Sequence, residues 1–230
     1  MLAQAVKPRQ TELVTQKEVT TALCNCTKAF ISNICWFRQV FEESCFARKD
    51  YMETPIFLLK SEDCQDEVVT LSRWLSGGVC EAIKKRYVRS IVFALNEAEA
   101  AGGVGRLLEQ WILKYNFDGN QVEIERSGGI GDHQSRRTRF EYKEDFKQKF
   151  NYIVRSISAL SLTLPQLPAR RVLTMYMVKT DDAPAEYSPQ YFIPLRETSR
   201  LKFEDEGVVS IDCGKARLPV GNIGNTSVGL

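Results

Sequence analysis

The placement of proline limits the folds open to this 230-residue chain more than any other feature of its sequence. The eight prolines lie at positions 8, 55, 165, 168, 184, 189, 194 and 219, so none falls between residues 56 and 164. Proline breaks the interior of a helix and offers no amide hydrogen to a central strand. We therefore expect a regular, compact region up to residue 164, followed after about residue 180 by turns, edge strands and extended segments.

Three segments of the proline-poor region carry the apolar spacing of helices. Residues 11–41, residues 66–86 and the stretch from Phe146 to Leu160 repeat apolar side chains at intervals of three and four. The second of these helices contains Gly77 and Gly78, which together cost about 2 kcal/mol of helix propensity. We therefore expect a kink there, or a close approach to another helix.

Alternating apolar residues predict the strands of a single sheet. The predicted strands are residues 88–95, 107–118 and 171–179, with shorter pieces at 55–59 and 122–125. A Gly- and Arg-containing stretch at 127–139 has the composition of a loop. Strands and helices in this order predict an α+β fold, with three helices packed on one face of a mainly antiparallel sheet.

The residues that usually carry enzyme chemistry are sparse or unsuitably spaced. His133 is the only histidine, and the seven cysteines include no C-x-x-C pair. The glycine clusters at 102–105 and 128–131 lack the spacing of a phosphate-binding loop. No apolar run approaches the roughly 20 residues of a membrane span. We therefore expect no enzymatic activity, no metal or other cofactor, and no membrane partner.

A cluster of four arginines is the candidate for contact with nucleic acid. Its members are Arg126, Arg136, Arg137 and Arg139. The nearby carboxylates of Asp132 and Glu141 offset part of this charge, and the net charge of the whole chain is only +2. This balance favours a solvated loop, with a phosphate or DNA contact as the alternative.

Several stretches, in a fixed order along the chain, have a distinctive sequence. The first runs from Phe30 to Phe41, and the others are 74–87, 109–115, 160–165 and 181–192. The last is the most specific, because it combines Asp181, Pro184, Tyr187, Pro189 and Phe192. In order and spacing these stretches resemble the HORMA domains of meiotic chromosome-axis proteins, and in particular the nematode type. Gln39 and Glu42 stand where that family often has Gly and Pro, a departure that bears on the geometry of one turn.

The resemblance implies a HORMA fold, which has a rigid core and a mobile C-terminal segment called the safety belt. On this basis residues 1–181 form the core, and residues 182–230 form the belt and tail of the same domain. In the closed form of the family, the belt wraps over a short peptide, the closure motif, which adds a strand to the edge of the sheet. Strand 171–179, backed by the third helix, is then the expected receiving edge.

The resemblance also indicates which residues would hold the peptide. On the receiving strand they are Val172, Thr174, Tyr176 and Val178. In the belt, the candidate anchors are Tyr187, Tyr191, Phe192 and Phe203. Ordinary core packing is the alternative explanation for these belt aromatics.

The function implied is that of a peptide-binding adaptor, located on meiotic chromosomes in the nucleus. It would assemble the chromosome axis for homologue pairing, synapsis and crossover formation. Its partners would be closure-motif peptides of other axis proteins, HORMA paralogues included, and an ATP-dependent remodeller, with mainly indirect association with chromatin. The alternative is a HORMA adaptor of the spindle checkpoint or of translesion DNA synthesis.

The C-terminal end raises a separate expectation. Meiotic members of the family often carry a closure motif of their own at the extreme C-terminus. Because this sequence stops at residue 230, just past the expected end of the belt, we expect it to be truncated. The alternative is that residues 221–230 are more than a linker.

Overall fold

The computed structural model describes residues 16–60, 62–100, 103–118, 121–128, 136–141, 146–194 and 213–217. Its α-helices are α1 (Gln16–Phe37), α2 (Asp66–Trp74), α3 (Cys80–Lys85) and α4 (Phe146–Leu162), with a short 3-10 turn at Glu43–Cys45. A π-helical turn, Leu75–Val79, joins α2 to α3 without a break. The described helices therefore form three rods, as the sequence predicts. None of them is long and apolar enough to cross a membrane.

All strand pairs in the described residues are antiparallel. The strands are β1 (Phe46–Tyr51), β2 (Thr54–Leu59), β3 (Val88–Ala98), β4 (Val104–Asn116), β5 (Gln121–Gly128), β6 (Arg136–Glu141), β7 (Arg171–Lys179), β8 (Ile193–Pro194) and β9 (Cys213–Arg217). Strands β1 and β2 form a hairpin, and the other seven form one sheet in the order β6-β5-β4-β3-β7-β9-β8. This arrangement confirms the predicted α+β fold with a mainly antiparallel sheet.

The core lies between the helices and one face of this sheet. Helix α1 buries Phe30 and Ile34 completely, and the Phe30 ring stacks on Phe150 of α4 with 5.4 Å between ring centroids. The sheet contributes alternate residues of its central strands, among them Phe93 and Trp111, which are also fully buried. The predicted helical stripes and strand alternation therefore meet in one core.

The turn after α1 is tied to the start of β7. Gln39 adopts the left-handed conformation with a φ of 50°. Arg171 at the start of β7 donates from Nη2 to the carbonyl oxygens of Gln39 at 2.6 Å and Val40 at 2.9 Å. Glutamine thus adopts a left-handed conformation where the family that the sequence resembles often has glycine. The carbonyls of this turn position the strand that carries the candidate site.

Replacing Gln39 with glycine is expected to stabilise the protein by about 1 kcal/mol, because a side chain in the left-handed region costs roughly 1–2 kcal/mol that glycine does not incur. Gln39 is exposed, and only its backbone takes part in the contacts above. Urea denaturation monitored by tryptophan fluorescence measures the difference. Glycine at Gln148, an exposed position of α4, is the matched control and is expected to destabilise. A loss of stability on Gln39→Gly would contradict the assignment of strain to this turn.

Strands β1 and β6 lie in the N-terminal and central parts of the chain where the sequence predicts no strand. Strand β1 has mostly polar or exposed residues, and β6 lies partly within the predicted loop at 127–139 and is rich in arginine. Both are paired along their full length, β1 with β2 and β6 with β5. Their conformation is therefore set by the neighbouring strand and not by an alternating apolar pattern of their own.

Candidate functional site

The outer edge of β7 is the first part of the candidate site. On its inner side β7 pairs with β3, and on its outer side it pairs with β9, with Thr174 opposite Arg217 and Val178 opposite Cys213. Among the described residues, the strand on the far side of β9 is β8, which has two residues, one of them a proline. The sequence predicts β7 as a receiving edge. In the structure a short strand from the C-terminal part of the same chain occupies that edge, so a guest strand would have to replace β9.

The two faces of β7 differ in what they contact. Leu173, Met175 and Met177 are completely buried and belong to the main core. The four predicted peptide-binding residues, Val172, Thr174, Tyr176 and Val178, alternate with them and lie on the other face, where they are also buried. Among them, Thr174 Oγ1 accepts a hydrogen bond from Asn96 Nδ2 at 2.9 Å. A strand paired with β7 would contact these residues through its own alternate side chains.

The second part of the candidate site is residues 181–192, which we call the latch. Asp181 forms an ion pair with Arg89 at 2.5 Å. Lys179 Nζ then donates to the carbonyl oxygens of Ala185 and Tyr187, both at 3.2 Å. The amide of Tyr187 donates to the Pro184 carbonyl at 2.9 Å, closing a tight turn. The latch is therefore an ordered, turn-rich segment, as the prolines after residue 180 predict.

Tyr187 packs against the end of the second helical rod. Its ring meets Tyr87 edge-on at 5.0 Å between centroids, and Lys85 Nζ lies 4.9 Å from the centre of the ring. The Tyr187 hydroxyl is buried and has no hydrogen-bond partner in the described residues. Burial, with smaller contributions from Glu81 and Tyr87, raises the pKa of Tyr187 to about 12. The contact is therefore held by the ring and not by its hydroxyl.

The two glycines of the π-turn lie directly against residues 190–192 of the latch. Phe192 is only 4% exposed. A Cβ atom on Gly78 would lie 2.3 Å from the Gln190 carbonyl oxygen and 2.9 Å from the Phe192 ring. A Cβ on Gly77 would lie 2.8 Å from the Tyr191 ring. We call Gly77 and Gly78 the glycine cradle. The sequence predicts a kink here or a close approach of another helix. In the structure the element that approaches the two glycines is the latch.

The other two predicted anchors differ from Tyr187 and Phe192. Tyr191 is 47% exposed, so it is the least buried aromatic of the latch. Its backbone is in the left-handed region, with a φ of 68°. Phe203 lies outside the described residues. The boundary predicted at residue 181 falls at the start of the latch, whose Phe192 belongs to the main core.

The predicted arginine cluster is not a uniform basic strip. Arg126 is only 7% exposed and lines a small cavity beneath α4. In the ladder Arg136 stands opposite Arg126, Arg137 opposite Glu125 and Arg139 opposite Glu123. In the register of the sheet, glutamates thus stand opposite two of the four arginines. Contact with nucleic acid stays a prediction, and a steep decrease of DNA affinity with salt is its required sign.

The six cysteines from Cys24 to Cys80 have the burial of structural residues. Those at 24, 26, 35, 45 and 80 are buried and that at 64 is half-buried. Burial raises the pKa of Cys26 to about 12, which keeps its thiol protonated and unreactive. The described residues contain no group of three or more side chains that would hold a metal ion.

An increase in pH above 10 is expected to release the latch. An exposed tyrosine ionises near 10, whereas the docked Tyr187 has a pKa of about 12. Between pH 10 and pH 12 the Tyr187 hydroxyl is ionised in the undocked state but still protonated in the docked state. The docked state therefore has its full stability below pH 10, and it becomes less stable as the pH rises towards 12. The tyrosinate absorbance of the protein and of Tyr187→Phe, titrated in parallel, isolates this group.

Tyr187→Phe also serves as the stability control for that titration. It keeps the ring contacts and removes a buried hydroxyl without a partner, so stability below pH 10 is expected to be unchanged or slightly higher. Ionisation of Tyr187 near pH 10, or a clear loss of stability in Tyr187→Phe, would contradict the packing described above.

Comparisons with known proteins agree with this geometry. The family model of the HORMA domain matches residues 20–219. The chain is 22% identical to Meiosis-specific protein ASY1 of Arabidopsis thaliana, over 97% of this chain and 36% of that protein. It is 24% identical to HORMA domain-containing protein 1 of Danio rerio, over 97% of this chain and 56% of that protein. It thus spans from about a third to just over half of the length of these relatives.

A solved structure has the same fold. C. elegans HTP-2 bound to the HIM-3 closure motif superimposes with a TM-score of 0.59 and 16% sequence identity, covering 78% of this chain and 77% of that one. The family match covers most of the residues described above, including the whole of the latch and β7. The chain therefore belongs to the HORMA domain family.

Proposed function

We propose that this chain captures closure-motif peptides of partner proteins on the outer edge of β7 and holds them there with its C-terminal segment. The observation that supports this most directly is the strand that now lies on that edge. It is a five-residue piece of the chain's own C-terminal part, with only the two-residue β8 beyond it. Such a strand is attached mainly through main-chain hydrogen bonds, which a guest peptide of any sequence can reproduce.

Peptide choice would come from side chains on the receiving strand. A guest in the position of β9 places alternate residues beside Val172, Thr174, Tyr176 and Val178, because directly opposite residues in an antiparallel pair lie about 4.5–5.5 Å apart. Thr174 offers a hydroxyl already held by Asn96, and its neighbours offer apolar surface. We expect the preferred guest to be an extended peptide with small or apolar residues on that face.

The receiving strand is well prepared for this role. Its core-facing residues are fully buried, and Arg171 fixes its first residue to the turn after α1. A rigid edge lowers the entropic cost of binding an extended peptide. Because Phe192 is packed in the main core, the part of the belt that closes over the peptide would begin after it.

Wrapping would make release slow. A peptide held under a belt leaves only after local unfolding of the belt, so its residence time depends on that opening as well as on its contacts. The C-terminal segment would have two arrangements, one with β9 on the edge of β7 and one closed over a guest peptide. Switching between two packings of one sequence is known but rare. We therefore include an ATP-dependent remodeller among the partners.

The biological setting proposed is the meiotic chromosome axis, in the nucleus. Its support is that one curated relative is named as meiosis-specific and that the solved HTP-2 structure contains a HIM-3 closure motif. The partners would be axis proteins with such motifs, HORMA paralogues included, in the service of pairing, synapsis and crossover formation. An adaptor of the spindle checkpoint or of translesion synthesis would use the same edge with different peptides.

A panel of peptides tests this proposal. The panel contains the HIM-3 closure motif, other axis-protein segments, checkpoint and translesion-polymerase segments, and a scrambled control for each. We expect at least one axis peptide to bind tightly and to dissociate slowly, as measured by biolayer interferometry. Preference for a checkpoint or polymerase peptide would replace the meiotic assignment with its alternative, and no binding by any peptide would overturn peptide capture.

A further inference from the structure

We propose that Ser188 is a phosphorylation site for proline-directed serine/threonine kinases, and that the phosphate holds the latch out of the glycine cradle. The site itself stands on the geometry of the latch. Only its consequence for a bound partner, easier release, rests on the proposed peptide capture.

The Ser188 hydroxyl closes the end of the latch. Its Oγ donates to the Phe192 carbonyl at 2.9 Å, and the amide of Phe192 donates to the Pro189 carbonyl at 3.0 Å. These two bonds fold residues 188–192 into a compact loop that presents the Phe192 ring to Gly78. A phosphoester oxygen has no proton to donate, so phosphorylation turns the first of these contacts into a repulsion between two oxygen atoms.

The loop cannot absorb this change where it lies. The Gln190 carbonyl and the Phe192 ring already sit so close to Gly78 that no Cβ atom would fit between them. The repulsion between the phosphoester oxygen and the Phe192 carbonyl therefore favours the undocked latch.

Sequence and burial favour Ser188 over the other candidate residue. Ser188 is exposed and is followed directly by Pro189, which supplies no amide hydrogen that a kinase subsite would have to satisfy. The only other Ser or Thr followed by proline is Thr54, which is 4% exposed and accepts a hydrogen bond from Arg155 Nε. Thr54 is therefore an internal control for accessibility.

The docked latch would itself resist the kinase. Pro189 is buried and the Ser188 hydroxyl is bonded while the latch is docked. A kinase therefore needs the undocked latch as its substrate. Once attached, the phosphate stabilises the same undocked latch, so the kinase and the phosphate shift the equilibrium in the same direction. In the transfer, Ser188 Oγ bonds to the γ-phosphorus of a nucleoside triphosphate, and the bond from that phosphorus to the β–γ bridging oxygen breaks. The hydroxyl proton passes to the kinase base, leaving phosphoserine and nucleoside diphosphate.

The experiment treats the full chain with a purified cyclin-dependent kinase and MgATP and follows intact mass. A peptide of residues 183–194 serves as the unfolded reference, and Ser188→Ala and Thr54→Val as site controls. We expect one phosphate, absent in Ser188→Ala and kept in Thr54→Val. Phe192→Ala, which removes the docked ring, is expected to react about tenfold faster than the unaltered chain, because the reactive state is then no longer a minor one.

Amide exchange across residues 187–192 reports the effect on docking. Loss of one hydrogen bond predicts about fivefold faster exchange in the phosphorylated protein. The proposal is overturned if Phe192→Ala takes up no phosphate at Ser188, if it reacts no faster than the unaltered chain, or if exchange is unchanged by the phosphate. None of these measurements uses a partner peptide, so their failure would leave the proposed peptide capture standing and is distinguishable from its failure.

Discussion

Replacing Glu109 with alanine is expected to lower the free energy of unfolding by about 3–5 kcal/mol, because it leaves a buried arginine without its counter-charge. Glu109 and Arg38 are 2% and 7% exposed. Both carboxylate oxygens of Glu109 accept from Arg38 Nε, at 3.0 and 3.1 Å, and one also accepts from the Trp111 indole at 3.0 Å. A buried carboxylate with three such contacts is among the most costly groups to remove.

The same arginine links three elements around the start of β7. Its Nη1 donates to the Ser161 carbonyl at the end of α4, and its Nη2 donates to the Pro165 carbonyl at 2.7 Å. Removal of Glu109 therefore leaves the Arg38 guanidinium without its counter-charge. This guanidinium holds the segment between α4 and β7, which leads into the receiving strand. We expect faster amide exchange at the start of β7 in addition to the lower global stability.

Urea denaturation of two variants, compared with the unaltered protein, separates charge from packing. Glu109→Ala is compared with the double variant Arg38→Met, Glu109→Leu, in which neither charge is left unpaired. Replacement of a buried pair by apolar residues of similar volume is often neutral. The double variant is therefore expected to recover part of the loss, the remainder coming from the Trp111 indole and the Ser161 and Pro165 carbonyls, which lose their partners. A loss below about 1 kcal/mol in Glu109→Ala, the range of an exposed pair, would contradict the buried-pair description.

Strand β7 illustrates what the sequence determines locally. Its predicted bounds, 171–179, coincide with those in the structure. Arg171 and Lys179 bracket an uninterrupted run of β-branched, aromatic and apolar residues, which is typical of a strand buried on both faces. The helical stripe of α4 is equally local, because the apolar positions from Phe150 to Ile157 repeat at three and four residues and face the core.

The parts that the sequence does not reveal depend on distant residues. Strands β6 and β9 are rich in charged or small residues, and only the neighbouring ladder makes them strands. The glycine cradle is similar, because Gly77 and Gly78 predict that something approaches closely but not what does so. The partner, Gln190 to Phe192, lies more than a hundred residues away along the chain. Contacts of such separation leave no periodic signal in a single sequence.

Deleting residues 213–230 is expected to speed both the binding and the release of a partner peptide. In the complete chain β9 occupies the edge of β7, so only the fraction of molecules with β9 released is able to bind. If β9 is released in about 1% of molecules, its removal raises the association rate up to about 100-fold. The deletion also removes the end of the belt, so dissociation depends less on local unfolding of the belt.

The matched control ends at residue 217, which keeps β9 and lacks only the residues beyond it. Stopped-flow fluorescence with the tightest peptide of the panel gives both rate constants for the full chain and the two shortened ones. An exposed sheet edge promotes self-association, so the measurement is made at low protein concentration with the monomer confirmed by light scattering. The chain ending at 212 is expected to associate fastest, and the one ending at 217 to keep the slow association of the full chain. Equal association rates for all three would mean that β9 does not compete for the edge, and the guest would then have to bind elsewhere on the sheet.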